Sequence, residues 1–217
     1  MNLADLGIFG ELEELVQDEE LRQLVRHCTT ASQRAGQKMR DGFESSDDAK
    51  HAVSEAALNG ILHRGDDISD IRTNTNISNC LVFHTKNLQG TVIDQEVIDL
   101  RNEIDEIVKE RAKELFDVPL DAIGVSGHFW YPPGGYMGWH TNLRKPGWRL
   151  YINVAEEKDR SFFRYRDPMT GEIVTCDDEL WNCRVFQIRQ DLPFWHCVYS
   201  ETNRHSFGYR IDKPLES

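Results

Sequence analysis

The 217-residue sequence lacks several features that would place it in a specialised class of protein. No stretch approaches the roughly 18 consecutive apolar residues of a membrane-spanning helix. The first residues carry no basic segment ahead of an apolar one, so they do not have the pattern of a secretory signal. We therefore expect a cytoplasmic protein that does not bind membranes.

Cysteines are few, and their number is odd. The chain has five, and none of them forms a Cys-x-x-Cys pair. This pattern argues against a disulfide framework and against a structural zinc site, so we expect reduced thiols. The five cysteines are Cys28, Cys80, Cys176, Cys183 and Cys197.

Positive charge is scarce relative to negative charge. There are 25 Lys and Arg residues against 37 Asp and Glu residues, which gives a net charge of −12. A polyanion would be repelled by such a chain, so nucleic acid is a disfavoured partner. Residues 141–217 hold 12 basic and 12 acidic residues, and the net negative charge therefore belongs to residues 1–140.

The two parts of the chain also differ in their apolar pattern. Helical spacing recurs between Leu12 and Val25, over residues 49–62, and from a predicted cap at Asp94 to Leu115. A short apolar run at 80–83 is a candidate strand, and from residue 121 the period changes to two. Strands are predicted at 123–129, 149–155, 161–165, 181–188, 195–200 and 204–211.

This order of elements predicts an α+β fold in which helices support a β-sandwich or barrel. We expect residues 1–79 to form a helical segment that packs on a β-rich domain at 80–217. The Pro-Pro-Gly-Gly stretch after Tyr131 is read as the start of a turn that continues to Trp139.

Two of the eight histidines lie in a setting that suits metal binding. His140 is followed two residues later by Asn142, and residues i and i+2 of a strand project to the same face. His196 lies on a later predicted strand and can complete the same face. Two histidines and an oxygen ligand on one face leave open positions for a chelating cosubstrate and oxygen, as in non-heme Fe(II) sites.

Eight residues after the second histidine comes Arg204, followed by Ser206. An arginine can bind the far carboxylate of an anionic cosubstrate through two hydrogen bonds. Ser206 faces the same side of its strand and adds a hydroxyl group.

In this order and spacing the residues resemble the 2-oxoglutarate- and Fe(II)-dependent dioxygenases, and the prolyl-hydroxylase group in particular. The resemblance covers about residues 126–211. Its motifs are a Tyr-Pro-Gly-rich turn from Tyr131, His140-Thr141-Asn142, Tyr151-Ile152-Asn153, His196-Cys197-Val198, and Arg204 with Ser206.

The resemblance implies a double-stranded β-helix, or jelly-roll, core supported by N-terminal helices. It implies that His140 and His196 hold Fe(II) and that Arg204 and Ser206 bind the distal carboxylate of 2-oxoglutarate. Tyr131 and Tyr151 would donate hydrogen bonds to the cosubstrate. The implied reaction is hydroxylation of a peptide side chain or a small metabolite, with release of succinate and CO2.

The sequence departs from the family at one ligand, because Asn142 stands where the family has Asp. Four readings are open. In the first, Asn142 ligates through its amide oxygen. In the second, the site uses two histidines alone, as related halogenases and aspartyl β-hydroxylases do. In the third, another acid such as Asp191 supplies the carboxylate, and in the fourth the site is degenerate.

Three alternatives to a hydroxylase follow from the same residues. The first is a halogenase-like enzyme with halide in the vacant ligand position. The second is a non-catalytic jelly-roll binding module. The third is that His140 and His196 are only hydrogen-bonded residues of a barrel and Arg204 is in a salt bridge.

A local basic cluster can either bind an acidic partner or form a solvated face. Its members are Arg144, Lys145, Arg149, Arg160, Arg164 and Arg166. Neither the substrate nor the oligomeric state follows from the sequence.

Overall fold

The computed structural model describes residues 6–66, 68, 78–84 and 94–212. The helices in these ranges are α1 (Glu13–Val16), α2 (Glu19–Ala35), α3 (Gln37–Asp41), α4 (Ala49–Ala52), α5 (Glu55–Arg64) and α6 (Gln95–Phe116). The strands are β1 (Phe9–Glu11), β2 (Ser78–Asn79), β3 (Leu81–His84), β4 (Ile123–Tyr131), β5 (Tyr136–His140), β6 (Gly147–Ala155), β7 (Ser161–Arg166), β8 (Ile173–Asp177), β9 (Trp181–Ile188), β10 (His196–Ser200) and β11 (Arg204–Ile211).

The strands form two antiparallel sheets. The larger sheet has the order β1-β9-β6-β11-β4-β3, and the smaller has the order β2-β5-β10-β7-β8. Phe186 of the larger sheet packs with Phe163 and Val198 of the smaller one, so the two sheets face each other across an apolar interior. The predicted α+β fold with a double-stranded β-helix core is confirmed.

Helices α2 and α6 cover the outer face of the larger sheet. Leu21 and Ile104 on these helices are fully buried, in one core with Ile152 and Phe207 of the sheet. Burying each such side chain stabilises the fold by about 1.5–3 kcal/mol. The predicted cap is present at Asp94, whose side chain accepts a hydrogen bond from the backbone N–H of Glu96 at 3.0 Å.

A second apolar core lies on the outer face of the smaller sheet, beneath α4 and α5. The single helix predicted over 49–62 is wrong, because the chain leaves helical geometry between α4 and α5. Ser54 is extended there, and its side chain accepts from the N–H of Ala57 at 3.1 Å. Its carbonyl accepts from Trp139 Nε1 at 2.8 Å, so Ser54 both starts α5 and ties it to the sheet.

The turn predicted from Tyr131 to Trp139 is shorter than expected. It closes with a hydrogen bond from the N–H of Gly135 to the carbonyl of Pro132 at 2.7 Å, and Gly134 adopts a left-handed conformation with φ of 85°. Residues 136–140 then form β5, which pairs with β10. The sequence pattern missed this strand because its glycine and its clustered aromatic residues do not alternate.

Residues on both sides of position 80 take part in the sheets. β1 pairs with β9 at the edge of the larger sheet, and β2 pairs with β5. All five cysteines are free thiols. Among the described residues, no helix combines the length and the apolar character needed to cross a bilayer.

Two buried histidines lie between the larger sheet and the helices. His128 Nε2 and His205 Nδ1 are 3.1 Å apart, and the ring of Trp130 stacks on His205 at 5.3 Å. Burial, together with the nearby charge of Arg204, lowers the pKa of His205 to about 3. The imidazole is therefore neutral in the folded protein at any pH near 7.

This depressed pKa makes stability depend on pH. His205 takes up a proton near pH 6.5 when the chain is unfolded, but only near pH 3 when it is folded. The unfolded state therefore binds more protons, and the free energy of unfolding falls as the pH drops below about 6.5. We expect this residue to account for a loss of about 2 kcal/mol between pH 6.5 and pH 5.

Urea unfolding of the wild type and of His205→Gln at several pH values between 7 and 5 measures this effect. The substitution should reduce the slope of stability against pH. His63→Gln, at an exposed histidine, is the matched control substitution. An unchanged slope in His205→Gln would contradict the assignment.

Candidate metal and cosubstrate site

Pairing of β5 with β10 brings the two histidines of the predicted site together. His140 is the last residue of β5 and His196 is the first residue of β10, and they are directly opposite each other in the ladder. Their ring centroids are 4.0 Å apart, and both residues are 3% exposed. The separation is short enough for both imidazoles to bind a single ion.

Each imidazole is oriented by a backbone carbonyl two residues before it. His140 Nδ1 is 2.8 Å from the carbonyl oxygen of Gly138, and His196 Nδ1 is 2.9 Å from that of Phe194. A carbonyl only accepts hydrogen bonds, so Nδ1 carries the proton in both rings and the neutral form keeps a lone pair on Nε2. A hydrogen bond of this kind is how proteins fix the tautomer of a metal-binding histidine.

The surroundings of the pair are apolar. Rings of Phe186, Phe163 and Phe194 lie 4.9, 5.6 and 5.6 Å from the ring of His196. Burial lowers the pKa of His140 to about 4 and places the pKa of His196 well below 6.5, where the neighbouring His140 also contributes. Both imidazoles are therefore neutral near pH 7, which is the form that binds metal ions.

Asn142 lies beside the same pair. Its side-chain nitrogen is 3.4 Å from His196 Nε2. A half-turn of the amide exchanges its nitrogen and oxygen, which brings an acceptor oxygen to that position. The residue has a left-handed backbone with φ of 58°, a conformation that Asn and Asp tolerate better than most other residues. A turn closes behind it, with the N–H of Lys145 donating to the Asn142 carbonyl at 3.0 Å.

No additional acid from the described ranges joins these three residues. Within the described part of the chain, no group of three or more His, Cys, Asp or Glu side chains is placed to hold a metal ion. Asp191, the acid considered above, is exposed and accepts two hydrogen bonds from Arg189, at 3.1 and 2.8 Å. The reading in which Asp191 replaces the missing carboxylate is therefore wrong.

Arg204 is buried on the inner face of β11, where its guanidinium has one open end. Nε donates to Asp178 at 2.7 Å, and Nη2 donates to the side-chain oxygen of Asn153 at 2.8 Å. Ser206 donates to the same Asn153 oxygen at 2.9 Å. Nη1 of Arg204 is buried without a hydrogen-bond partner among the described residues. A buried unsatisfied donor on a cation is a fitting contact for a carboxylate.

Asp178 was not predicted as a site residue from the sequence, yet its carboxylate binds several of the buried polar groups in this part of the barrel. It is fully buried and binds Arg204, Nη1 of Arg184 and the hydroxyl of Ser161. Burial acts to raise its pKa, but the charges of Arg204 and Arg184 outweigh burial and hold the pKa below its usual range. The carboxylate is thus ionised and is shared by two guanidinium groups.

The two predicted tyrosines lie on either side of Arg204 in the larger sheet. The Tyr131 ring centroid is 5.3 Å from the Arg204 guanidinium carbon, and Tyr131 itself is directly opposite Arg204 in the ladder. Tyr151 is opposite Gly208, where an added Cβ would lie 2.7 Å from Cε1 of the Tyr151 ring. Burial raises the pKa of both phenols, so each keeps its proton to donate near pH 7.

The basic cluster seen in the sequence is not one surface. Arg149 is buried on the inner face of β6, whereas Arg160 is exposed and pairs with Glu201. Arg164 stacks on Phe162 and donates to the carbonyl of Val53 on the outer side of the smaller sheet. These arginines therefore do not form a continuous basic patch.

No protein-family model matches the sequence, and no curated protein matches it. Solved structures do match. One is a prolyl-4-hydroxylase from Pseudomonas putida, with a TM-score of 0.47 at 11% identity over 95% of this chain and 93% of the other. Another is a Trichoplax adhaerens prolyl hydroxylase in complex with a hypoxia-inducible-factor peptide fragment, with a TM-score of 0.42 at 14% identity over 89% and 94%.

A third match is an oxidoreductase of the 2OG-Fe(II) oxygenase family from Burkholderia pseudomallei. Its TM-score is 0.42 at 11% identity, over 61% of this chain and 64% of the other. At these TM-scores and identities the likeness assigns no activity to this chain, whose function has to be derived from its own residues.

Proposed function

We propose that this protein is an Fe(II)- and 2-oxoglutarate-dependent oxygenase that hydroxylates a peptide side chain or a small metabolite. The observation that carries the proposal is the pair of buried, neutral imidazoles of His140 and His196, each with Nδ1 held by a backbone carbonyl, so that Nε2 is the ligating atom. Asn142, the proposed third ligand, lies 3.4 Å from Nε2 of His196. The two rings are 4.0 Å apart, and neither has to donate a hydrogen bond to the other, because each Nδ1 already contacts a carbonyl. A divalent ion bound by both rings accounts for their orientations.

In this proposal His140 and His196 hold the metal ion, and Asn142 is a weak third ligand through its amide oxygen. The residues present fit the ion, because imidazole nitrogen together with oxygen donors suits Fe(II). A neutral amide compensates the charge of the ion less well than the family's carboxylate does. We therefore expect the metal to be held more loosely than an Asp at this position would hold it.

Arg204 binds the distal carboxylate of 2-oxoglutarate through the Nη1 end of its guanidinium. Asp178 on the Nε edge keeps that end in place. Ser206 already donates to Asn153, so it acts on the cosubstrate either as an acceptor or after its hydroxyl rotates. Tyr131 and Tyr151 are the proposed hydroxyl donors beside it.

When both are bound, the metal and 2-oxoglutarate supply the oxidation of a substrate C–H bond by O2, which gives the hydroxylated product, succinate and CO2. The chain itself orients these groups and excludes water. The wall formed by Phe163, Phe186 and Phe194 beside His196 is apolar, and an apolar wall of this kind would help to protect an oxidising centre from side reactions.

Anaerobic titration with Fe(II), and with Mn(II) as an inert substitute, tests the proposal. We expect His140→Ala and His196→Ala each to weaken metal binding by at least about 100-fold. Arg204→Gln should weaken 2-oxoglutarate binding by about 100-fold, because it removes the charged partner of a buried carboxylate, while metal affinity is unchanged. Succinate release should require both ligands in the wild type.

The matched control is Arg210→Gln. Arg210 lies on the same strand as Arg204 but is half-buried and pairs with Asp212, so both affinities should stay at wild-type values. Metal affinity that is unchanged by both histidine substitutions would refute the proposal. Binding of metal and 2-oxoglutarate without succinate release would instead indicate the binding module, and a chlorinated product in chloride buffer would indicate the halogenase-like enzyme.

A further inference from the structure

The inside of the barrel holds more positive than negative charge. Arg149, Arg184 and Arg204 are 4%, 1% and 1% exposed. Among the described residues the buried carboxylates are Asp105 and Asp178, and Asp105 lies on α6, where it pairs with Arg101. The three interior guanidinium groups therefore have one buried carboxylate between them.

Among the described residues, two of these arginines form ion pairs, and the third forms none. Asp178 binds both Arg184 and Arg204, and Arg184 also reaches Glu11 at 3.3 Å. Arg149 donates only to backbone carbonyls, with Nη1 3.1 Å from that of Trp148 and Nη2 on that of Lys145. Within the described residues its guanidinium makes no ion pair. Burying a charge without a counter-charge costs several kcal/mol.

Arg149 lies at the metal end of the barrel, as two independent contacts indicate. It is directly opposite Phe186 in the ladder of β6 and β9, and the Phe186 ring is 4.9 Å from that of His196. Its guanidinium also holds the carbonyl of Lys145, the residue whose N–H closes the turn behind Asn142. A single residue therefore separates Arg149 from each of two proposed metal ligands. Phe186 lies between Arg149 and His196, and Lys145 lies between Arg149 and Asn142.

Neither the metal ion nor 2-oxoglutarate supplies a negative charge that neutralises Arg149. A divalent ion and the dianion of 2-oxoglutarate cancel, and Asn142 adds no negative charge. Arg210, opposite Arg149 on β11, forms an ion pair with Asp212, the carboxylate whose charge also acts on Arg149, so Asp212 is already shared with another cation. An anion that enters with the substrate is what remains to neutralise Arg149.

We propose that Arg149 is the residue that determines substrate class, and that the substrate carries a carboxylate which this guanidinium binds. This inference rests on the proposed function. The two carbonyl contacts hold the guanidinium plane in place, so its remaining N–H groups are preorganised for an anion. Both a free organic acid and a peptide with an acidic group near the oxidised carbon satisfy this chemistry.

The experiment uses pairs of probes that differ only in charge: N-acetyl amino acids and their primary amides. Their affinities are measured by saturation-transfer NMR with the full chain, first alone and then with Zn(II) and saturating 2-oxoglutarate. We expect the acids to bind at least about tenfold more tightly than the amides. Arg149→Gln should remove this preference, and Arg149→Lys should restore part of it.

Arg160→Gln is the matched control here, because Arg160 is exposed and pairs with Glu201, and it should keep the preference for acids. In Arg149→Gln the affinities for Zn(II) and 2-oxoglutarate should stay within about twofold of the wild type. Equal loss of metal or of 2-oxoglutarate would show that Arg149 only supports the Asn142 turn or binds the cosubstrate, and would overturn the inference. Wild-type protein that binds no acid, or binds acids and amides equally, would also overturn it.

Failure of the proposed function is separable from failure of this inference. If the wild type binds neither metal nor 2-oxoglutarate, the oxygenase proposal fails. The preference of the metal-free protein for acids, and its dependence on Arg149, still decides whether this guanidinium is an anion site. A peptide series in which one position is Glu or Gln distinguishes a peptide substrate from a free acid.

Discussion

Replacing Asp178 with Asn is expected to lower the free energy of unfolding by about 3–5 kcal/mol, the usual cost of removing one partner from a buried ion pair. The side chain keeps its size, so the loss comes from charge. Without the carboxylate, Arg184 and Arg204 remain buried with their positive charges uncompensated. The hydroxyl of Ser161 donates to the Asp178 carboxylate at 2.6 Å. In the variant it either loses this acceptor or shares the single amide oxygen of Asn with the other donors.

Urea unfolding of Asp178→Asn against the wild type measures this loss. Asp177→Asn is the matched control, because Asp177 is exposed and only its backbone carbonyl contacts Arg184. A surface change of this kind should stay within about 0.5 kcal/mol. If Asp178→Asn costs less than about 1 kcal/mol, the buried cluster is not a unit on which the fold depends.

The same variant links stability to the proposed site. Arg204 depends on Asp178 for its Nε contact, so with a neutral residue 178 the buried guanidinium is oriented mainly by its contact with Asn153 and is positioned less well. We expect affinity for 2-oxoglutarate to fall together with stability, and affinity for metal to change little, because His140 and His196 lie on the other sheet. The Asp178 carboxylate thus stabilises the fold and also orients Arg204, the proposed contact for 2-oxoglutarate.

Much of the β-rich part could be predicted from residue periodicity. Strands β9 and β11 have the predicted bounds, because their side chains alternate between the helix-covered face and the interior. The missed elements have local causes. β5 contains Gly138 between aromatic residues, and the break between α4 and α5 depends on a bond from Trp139 to Ser54, which is distant in sequence.

The candidate site, too, could be predicted only in part from the sequence. The residues His140, Asn142, His196 and Arg204 could be selected from the motif order that the chain shares with the family it resembles. The expected placement of Asn142 two residues along the same strand is wrong, because β5 ends at His140 and Asn142 lies in a turn with a left-handed backbone. The partners that complete the site could not. Asp178 sits between two ordinary acidic residues, and only the pairing of sheet strands brings it to Arg204, 26 residues away. Arg149 belongs to a cluster of basic residues in the sequence, of which Arg160 and Arg164 lie on the outside of the barrel.

Replacing Asn142 with Asp is expected to tighten Fe(II) binding by about 100-fold. At an effective dielectric constant near 20, opposite unit charges 4 Å apart attract by about 4 kcal/mol, and part of this is lost to desolvation of the carboxylate. The swap is nearly isosteric, and Asp also tolerates the left-handed backbone at this position, where φ is 58°. Packing should therefore change little.

Asn142→Ala completes the series and tests whether the amide is a ligand. If its oxygen binds the ion, affinity should rank Asp above Asn above Ala, with a loss of about tenfold in the alanine variant. If the amide is a bystander 3.4 Å from His196, the alanine variant should match the wild type. Anaerobic titration of Fe(II) into the three proteins gives the ranking, and succinate is assayed in parallel.

The products of the aspartate variant separate the remaining readings of this position. A hydroxylase should keep or raise its succinate release, because the added carboxylate restores a full facial set of ligands. A halogenase-like enzyme should lose its halogenated product and gain a hydroxylated one, because the carboxylate takes the place of the halide. Unchanged Fe(II) affinity together with no succinate in either protein would remove the oxygenase proposal, since a charge added beside a working metal centre has to alter its affinity.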